Sequence, residues 1–131
     1  MYLLDTNILI YAYRNLGQCR ARIDAHDAAH INICPINVTE IEYGIAKSTR
    51  PDALKQFLAT IQLLYVEQAF TTEAARQAGQ VRAALERQGQ PIGAYDLLIA
   101  GIALAHNLTV VTRNVREFSR VPQLKVENWY E

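Results

Sequence analysis

Four acidic residues stand at the ends of apolar segments that are far apart in the chain. Asp5 ends the run Met-Tyr-Leu-Leu, Glu40 opens a helix-like stretch, Asp96 sits just inside an apolar segment, and Glu117 follows the apolar run ending at Val111. Folding that gathers segment ends would place these carboxylates in one crevice. Two carboxylates about 4 Å apart repel by on the order of 4 kcal/mol at an effective dielectric of about 20, so such a pocket needs protons or cations. Mg²⁺, or Mn²⁺ in its place, suits hard oxygen donors and leaves positions open for water and phosphate. An ion held this way activates water and stabilises a leaving oxygen. The chemistry to expect is phosphodiester hydrolysis.

Each acid also has a plainer role. An aspartate after a strand most often caps the next helix, and Glu40 lies at capping-box spacing from Asn37. Glu117 alone reads as a solvated surface acid. Asp96 has the firmest case, because a carboxylate inside an apolar segment is costly to bury without a partner. Glu42 competes with Glu40, but two residues apart on a helix they point in different directions, so only one faces the crevice.

The elements that must position these acids alternate in type. Tyr2 to Leu4 reads as a short buried strand, followed by the capping residues Asp5, Thr6 and Asn7 and an apolar helix. A polar helical stretch runs from about Arg20 to Ala29, and a second strand from Ile31 to Ile36. Asn37 is the expected N-cap of the next helix, and Pro51 fits the first turn of another, with Leu54, Phe57, Leu58, Ile61 and Leu64 at helical spacing. A third strand is expected at Leu64 to Val66. Thr72 to Arg87 reads as a long helix, and Asp96 to His106 as a helix buried on most sides, ended by Asn107 in a left-handed conformation. Leu108 to Thr112 is a strong β-branched strand and Leu124 to Val126 a weaker last one. This alternation predicts an α/β sandwich with a mostly parallel sheet. In such sheets ligands bind outside the carboxyl ends of the strands, where Asp5 and the segment Thr112 to Glu117 emerge.

Composition bounds the rest. The 131 residues, half of them hydrophobic and 20% charged, suffice for one core, so residues 1–131 are expected to form a single domain. Lysine plus arginine equals aspartate plus glutamate at 13 each, so nucleic acid would have to be held by a local basic patch or through metal ions. No apolar run reaches the roughly 18 to 20 residues needed to cross a bilayer, and the N-terminus has no leader pattern. Cys19 and Cys34 make neither a disulfide framework nor a Cys-x-x-Cys pair, which fits a reducing cytoplasm.

Other residues carry weaker signals. His26 and His30 have i, i+4 spacing but no third ligand nearby, so a solvated helical face is expected. Arg113, Arg116 and Arg120 could grip phosphates, with Lys47 and Arg50 as another edge; surface solubility explains them about as well. Tyr95 could stack on a base, although packing is the commoner role. Cys34 is expected in the core, and Trp129 and Tyr130 either close the sheet edge or meet a partner.

Taken in order, Leu4-Asp5-Thr6-Asn7, Val38-Thr39-Glu40-Ile41-Glu42-Tyr43-Gly44, Pro91-Ile92-Gly93-Ala94-Tyr95-Asp96-Leu97-Leu98-Ile99-Ala100, Val111-Thr112-Arg113-Asn114-Val115-Arg116-Glu117-Phe118 and Val126-Glu127-Asn128-Trp129 resemble the PIN-domain ribonuclease toxins called VapC. The resemblance covers essentially the whole chain. It implies a PIN-like three-layer sandwich with a five-stranded parallel sheet, and a Mg²⁺-dependent endoribonuclease that is the toxin of a type II toxin–antitoxin pair. Asp5 and Asp96 would be the principal metal ligands, with Glu40 a further acid, Glu117 the fourth, and Thr112 a supporting polar residue. Some family members carry aspartate where this chain has Asn114, which cannot supply the same charge. The resemblance further implies a homodimer, a VapB-like antitoxin whose C-terminal segment blocks the site, and RNA substrates with tRNA prominent. Two other readings use the same residues: a PIN-type DNA nuclease, and a non-catalytic module that acts by joining an antitoxin.

Overall fold

Alternate residues of the central strands serve opposite sides of the sheet, as the two-residue period of a strand requires. In the computed structural model, which describes residues 1–131, Leu3 and Val110 belong to one apolar cluster and Leu4 and Val111 to another. Each cluster contains 14 buried residues, so the sheet is covered on both faces and forms the middle of three layers. Near-continuous apolar strands are what a parallel sheet buried on both faces demands.

The sheet has five strands, β1 (Tyr2–Leu4), β2 (Ile31–Ile33), β3 (Val66–Glu67), β4 (Thr109–Val111) and β5 (Val126–Glu127), in the spatial order β3-β2-β1-β4-β5. All four pairings are parallel. The chain builds outward from β1 to one edge and then returns to build the other half from β4. The order therefore reverses between β1 and β4, and a crevice opens at their carboxyl ends.

Helices α1 (Thr6–Tyr13), α2 (Cys19–Asp24), α3 (Pro35–Lys47), α4 (Asp52–Leu64), α5 (Thr72–Arg87), α6 (Ala94–His106) and α7 (Val115–Phe118) complete the fold. Ile8, Leu9, Ile23, Ile41, Ile45, Leu58 and Ile61 cover one face. Ala74, Val81, Leu85, Ile99 and Ile102 cover the other. Asn107 ends α6 at φ 54°, in the left-handed region its sequence position predicts.

Several boundaries differ from those expected. β2 stops at Ile33, because Pro35 starts α3 and Cys34 is its N-cap. Asn37 is thus not an N-cap and Glu40 closes no capping box. Asn37 lies one turn inside α3, where its Oδ1 accepts from the backbone N–H of Cys34 at 2.8 Å. Proline at the first helical position, where no N–H is needed, sets the start three residues earlier than expected. Pro51 precedes α4 rather than lying in it, and α6 begins at Ala94, two residues before Asp96. The helix expected from Arg20 to Ala29 ends at Asp24, and a 3-10 turn at Ala28–His30 follows. β3 and β5 are each displaced toward the C-terminus relative to expectation, and α7 was not expected as a helix.

Trp129 is fully buried in the α1–α4 side of the core, and His26 stacks on it with ring centroids 4.4 Å apart. Packing therefore accounts for both residues, and Cys34 is also fully buried.

α5 and α6 approach each other closely at Gly101. A Cβ on Gly101 would lie 2.5 Å from the Ala74 carbonyl oxygen and 2.9 Å from the Ala78 Cβ. Gly101→Ala gains about 1 kcal/mol of helix propensity, but forcing the helices apart costs about 1–3 kcal/mol. The steric effect should win. We expect a lower urea midpoint for Gly101→Ala; a midpoint at or above that of the parent would show that α5 can move back freely.

Candidate active site

β1 delivers Asp5 to the crevice through its backbone. The Asp5 N–H donates to the Val111 carbonyl at 2.8 Å, extending the β1–β4 ladder one residue past the strand. Asp5 also caps α1, its Oδ1 accepting from the Thr6 N–H at 2.8 Å, while Oδ2 accepts from the Thr112 hydroxyl at 2.8 Å. The capping role foreseen for Asp5 is real, and it uses only one of the two oxygens. Thr112 is itself fixed by accepting from the Asn114 N–H at 2.9 Å.

Glu40 reaches the same place from the second turn of α3. Its Oε1 accepts from the Thr6 hydroxyl at 2.7 Å. Thr6 Oγ1 in turn accepts from Asn37 Nδ2 at 3.0 Å, and the same amide donates to the Leu4 carbonyl at 3.1 Å. The fully buried Asn37 therefore ties the end of β1 to α3 and sets the direction of the Thr6 hydroxyl. Glu42 is exposed, so the helix geometry separates the two glutamates as expected.

Asp96 enters from the first turn of α6 and Glu117 from α7. Asn114 spans them, its Nδ2 donating to Asp96 Oδ2 at 3.3 Å and to Glu117 Oε2 at 3.0 Å. The fold thus brings all four acids, Thr112 and Asn114 to one end of the sheet. Sequence reasoning missed Thr6 and Asn37 as positioning residues. It read both as helix caps, and only their long-range partners reveal otherwise.

The electrostatics bear the mark of crowding. Burial pushes the Asp5 carboxyl up to about 6, against the lowering effect of its Thr112 and Thr6 hydrogen bonds, and the charges of Glu40 and Glu117 push it further. Asp96 is raised to about 7, first by burial, then by its hydrogen bond with Glu117 and the charges of Asp5, Glu117 and Glu40. Glu117 moves below its ordinary value because Asp96 and Asn114 donate to it. The two neighbouring carboxyls are thus pushed in opposite directions, Asp96 toward its neutral form and Glu117 toward its charged one.

The donor set suits a hard divalent cation. Carboxylates disfavoured by burial and by each other's charge regain their anionic form beside a cation, whose own charge reverses the local balance. Asn7, two residues after Asp5 in the first turn of α1, has a buried Oδ1 with no protein donor. As they stand, no three acidic, histidine or cysteine side chains are drawn in around one point. A cation beside Asp96 would favour its charged form, against the burial that raises it.

The arginines separate. Arg116 is exposed on α7. Arg120 donates to the Pro91 carbonyl at 3.0 Å, which fastens α7 to the loop before α6. Arg113 lies over the Tyr130 ring, 3.7 Å from its centroid, and donates to the Tyr11 hydroxyl at 3.3 Å.

The sequence matches the PIN domain over residues 2–124. It is 36% identical to a tRNA(fMet)-specific endonuclease VapC of Salmonella typhimurium, over 98% of this chain and 97% of that protein. It is 36% identical to the ribonuclease VapC2 of Rickettsia felis, over 98% of each. The fold superposes on the DNA-bound VapBC structure from Salmonella typhimurium with a TM-score of 0.90, at 36% identity over 98% of this chain and 97% of that one. Likeness at this level over nearly the full length, on a sheet that gathers its acids at the point where strand order reverses, leads to one conclusion: the chain belongs to the VapC family of PIN-domain proteins.

Proposed function

We propose that this protein is a metal-dependent endoribonuclease, the toxin of a type II toxin–antitoxin pair, hydrolysing phosphodiester bonds in RNA. The observation that carries the reading is the gathering of Asp5, Glu40, Asp96 and Glu117 at the carboxyl ends of β1 and β4, where Thr6, Thr112 and Asn114 hold them by hydrogen bonds. Crowded carboxylates of this kind destabilise a fold unless a cation or a reaction uses them. In this reading residues 1–131 form one catalytic domain.

Asp5 and Asp96 would hold Mg²⁺, or Mn²⁺ in its place, with Glu40 and Glu117 completing the acidic wall. The ion, when bound, lowers the pKa of a water and offsets charge on the phosphate. The protein's part is orientation. Thr112 fixes one oxygen of Asp5, Thr6 fixes one of Glu40, and Asn114 holds Glu117 against Asp96. Arg116 is free to meet RNA phosphate. Arg113 can do so only from its seat on Tyr130 and Tyr11.

Relatives named for cleavage of initiator tRNA make tRNA the proposed substrate. Solved relatives that are VapBC complexes make a VapB-like antitoxin the proposed partner. No helix is long and apolar enough to cross a membrane, and we place the activity in the cytoplasm as a homodimer. Light scattering should give twice the 14.8 kDa chain mass; a monomer at assay concentration would remove the dimer from this reading.

Asp5→Asn and Asp96→Asn should each lower cleavage of a small-RNA pool by at least about 100-fold, and EDTA should abolish it. Matched RNA and DNA oligonucleotides in competition test the sugar preference, since only RNA offers a 2′-hydroxyl. Unchanged cleavage in either variant, or cleavage in EDTA, would sink the metal-site assignment. DNA cut as readily as RNA would replace ribonuclease with a broader nuclease.

The pH dependence has a definite sign. Asp5 and Asp96 have folded-state values above their ordinary ones, so the folded protein binds protons that the unfolded chain releases. The resulting stability is full below about pH 4, and is lost as pH rises through 6 and 7. For the buried Asp5 the loss is on the order of 3 kcal/mol. In EDTA, the stability of Asp5→Asn relative to the parent should therefore climb from pH 4 to pH 8. A flat difference across that range would refute the raised value. Cleavage should rise with pH through the same window, because protons compete with the cation.

A further inference from the structure

Glu40 lines two clefts of different chemistry. One, of about 470 Å³, is lined by Thr39, Glu40, Tyr43 and Tyr95. The other, of about 520 Å³, includes Glu40 and Tyr43 again, together with Arg14, Lys47 and Arg50. An aromatic cleft and a basic cleft therefore meet at an acid of the site.

The two tyrosines are not packed away. Tyr43 is 65% exposed and Tyr95 is 49% exposed, although each sits on a helix whose other face is buried. Tyr95 directly precedes Asp96 in the first turn of α6, and Tyr43 lies one turn after Glu40 on α3, so both rings belong to the rim of the acidic crevice. Packing, the commoner role for Tyr95, does not account for this exposure. Lys47 lies 4.8 Å from the centroid of the Tyr43 ring. An ammonium over one face holds the ring and leaves the other face open.

Charge complements the aromatics. Neither Arg14, Lys47 nor Arg50 makes a salt bridge, so three cations stand beside a site made of acids. An anionic chain entering the crevice must pass that acidic wall, and the basic cleft supplies the compensating attraction. Polyphosphate with unstacked bases is the ligand that uses rings and cations together, since every base has a face to stack and every linkage a charge.

We propose that Tyr43 and Tyr95 form a base-stacking rim that admits only unpaired RNA, and that the strand continues from there along the Arg14, Lys47 and Arg50 cleft. The proposal rests on the ribonuclease reading and deepens it, by specifying a looped or single-stranded segment with a flipped base beside the scissile phosphate. A duplex, its bases stacked on each other, cannot offer that face.

The test is equilibrium binding of a short single-stranded RNA carrying 2-aminopurine at successive positions, to Asp96→Asn protein in Mg²⁺ so that the strand stays whole. Quenching should be confined to one or two adjacent positions. Tyr43→Ala and Tyr95→Ala, added singly, should weaken binding by about five-fold to a hundred-fold and abolish the quench, as loss of one stacked base does. Tyr43→Phe and Tyr95→Phe should retain both, which a general loss of folding would not allow. Lys47→Ala or Arg50→Ala should lower the slope of log affinity against log salt by about 0.7 each, without moving the quenched position. The same RNA annealed to its complement should bind at least ten-fold more weakly.

Alanine variants that bind and quench like the parent, or a duplex that binds as tightly as the single strand, would overturn the proposal. So would alanine variants that lose only antitoxin affinity, since the rim would then be a protein-docking surface. Cleavage by the otherwise intact protein is scored separately. Normal cleavage with indifferent alanine variants removes the stacking rim and leaves the ribonuclease standing. Tyrosine-dependent binding with no cleavage does the reverse.

Discussion

The pairing of β1 with β4 is the constraint on which the site depends. These strands are parallel neighbours with Leu4 opposite Val111, and the ladder continues through the Asp5 N–H to the Val111 carbonyl. Asp5 and Thr112 are 107 positions apart in sequence, yet this register makes them hydrogen-bonded partners. A slip by one residue would turn the Asp5 side chain to the opposite face of the sheet and separate it from Thr112. The same slip of β1 would exchange Leu3 with Leu4 between the two apolar clusters while Val110 and Val111 kept their places. The hydrophobic alternation that specifies the core thus also specifies where the carboxylate points.

Holding a carboxylate there works against its charge. Asp5 accepts two hydrogen bonds, each of which favours the anion, and burial still prevails, leaving it near 6. The surroundings answer with hydrogen bonds from Thr6, Thr112, Asn37 and Asn114 rather than with cations. Asn37 uses its amide oxygen once and its amide nitrogen twice, so a completely buried side chain leaves no donor idle. Through Thr6 that network reaches Glu40, so the direction of an acid on α3 depends on the carbonyl that ends β1. The result is an oxygen-lined wall in which Thr6, Thr112 and Asn114 orient the acids.

Much of this was legible in the sequence, for reasons that can be named. α5 has strong caps and a clear apolar stripe, and its ends at Thr72 and Arg87 match the pattern read from them. β1 and β4 stand out through continuous apolar or β-branched runs, and Asn107 through its position after a long apolar helix. The start of α3 was misread because Asn37 and Glu40 satisfy the spacing of a capping box. Local spacing cannot show that Asn37 bonds to Leu4 and Thr6, more than thirty residues away. The short edge strands β3 and β5 were displaced for a related reason. Two residues give no periodicity, and their place is set by their neighbours. Among the site residues, the four acids were legible as a set only through their placement at element ends. Their dependence on Thr6, Asn37 and Asn114 belongs to tertiary structure alone.

Asn114 shows how the acidic wall can be dense without coming apart. An aspartate at this position would face Asp96 and Glu117 as a third anion, with nothing to donate to either. The amide instead gives a hydrogen to each, at 3.3 and 3.0 Å. It lowers the formal charge by one where the crowding is worst, and it holds Glu117 in the crevice although α7 is only four residues long. That anchoring keeps Glu117 beside Asp96, at the same end of the sheet as Asp5 and Glu40. With asparagine here, the charge at this end of the crevice stays on Glu117, at the end of a longer side chain whose Oε2 the Asn114 amide holds.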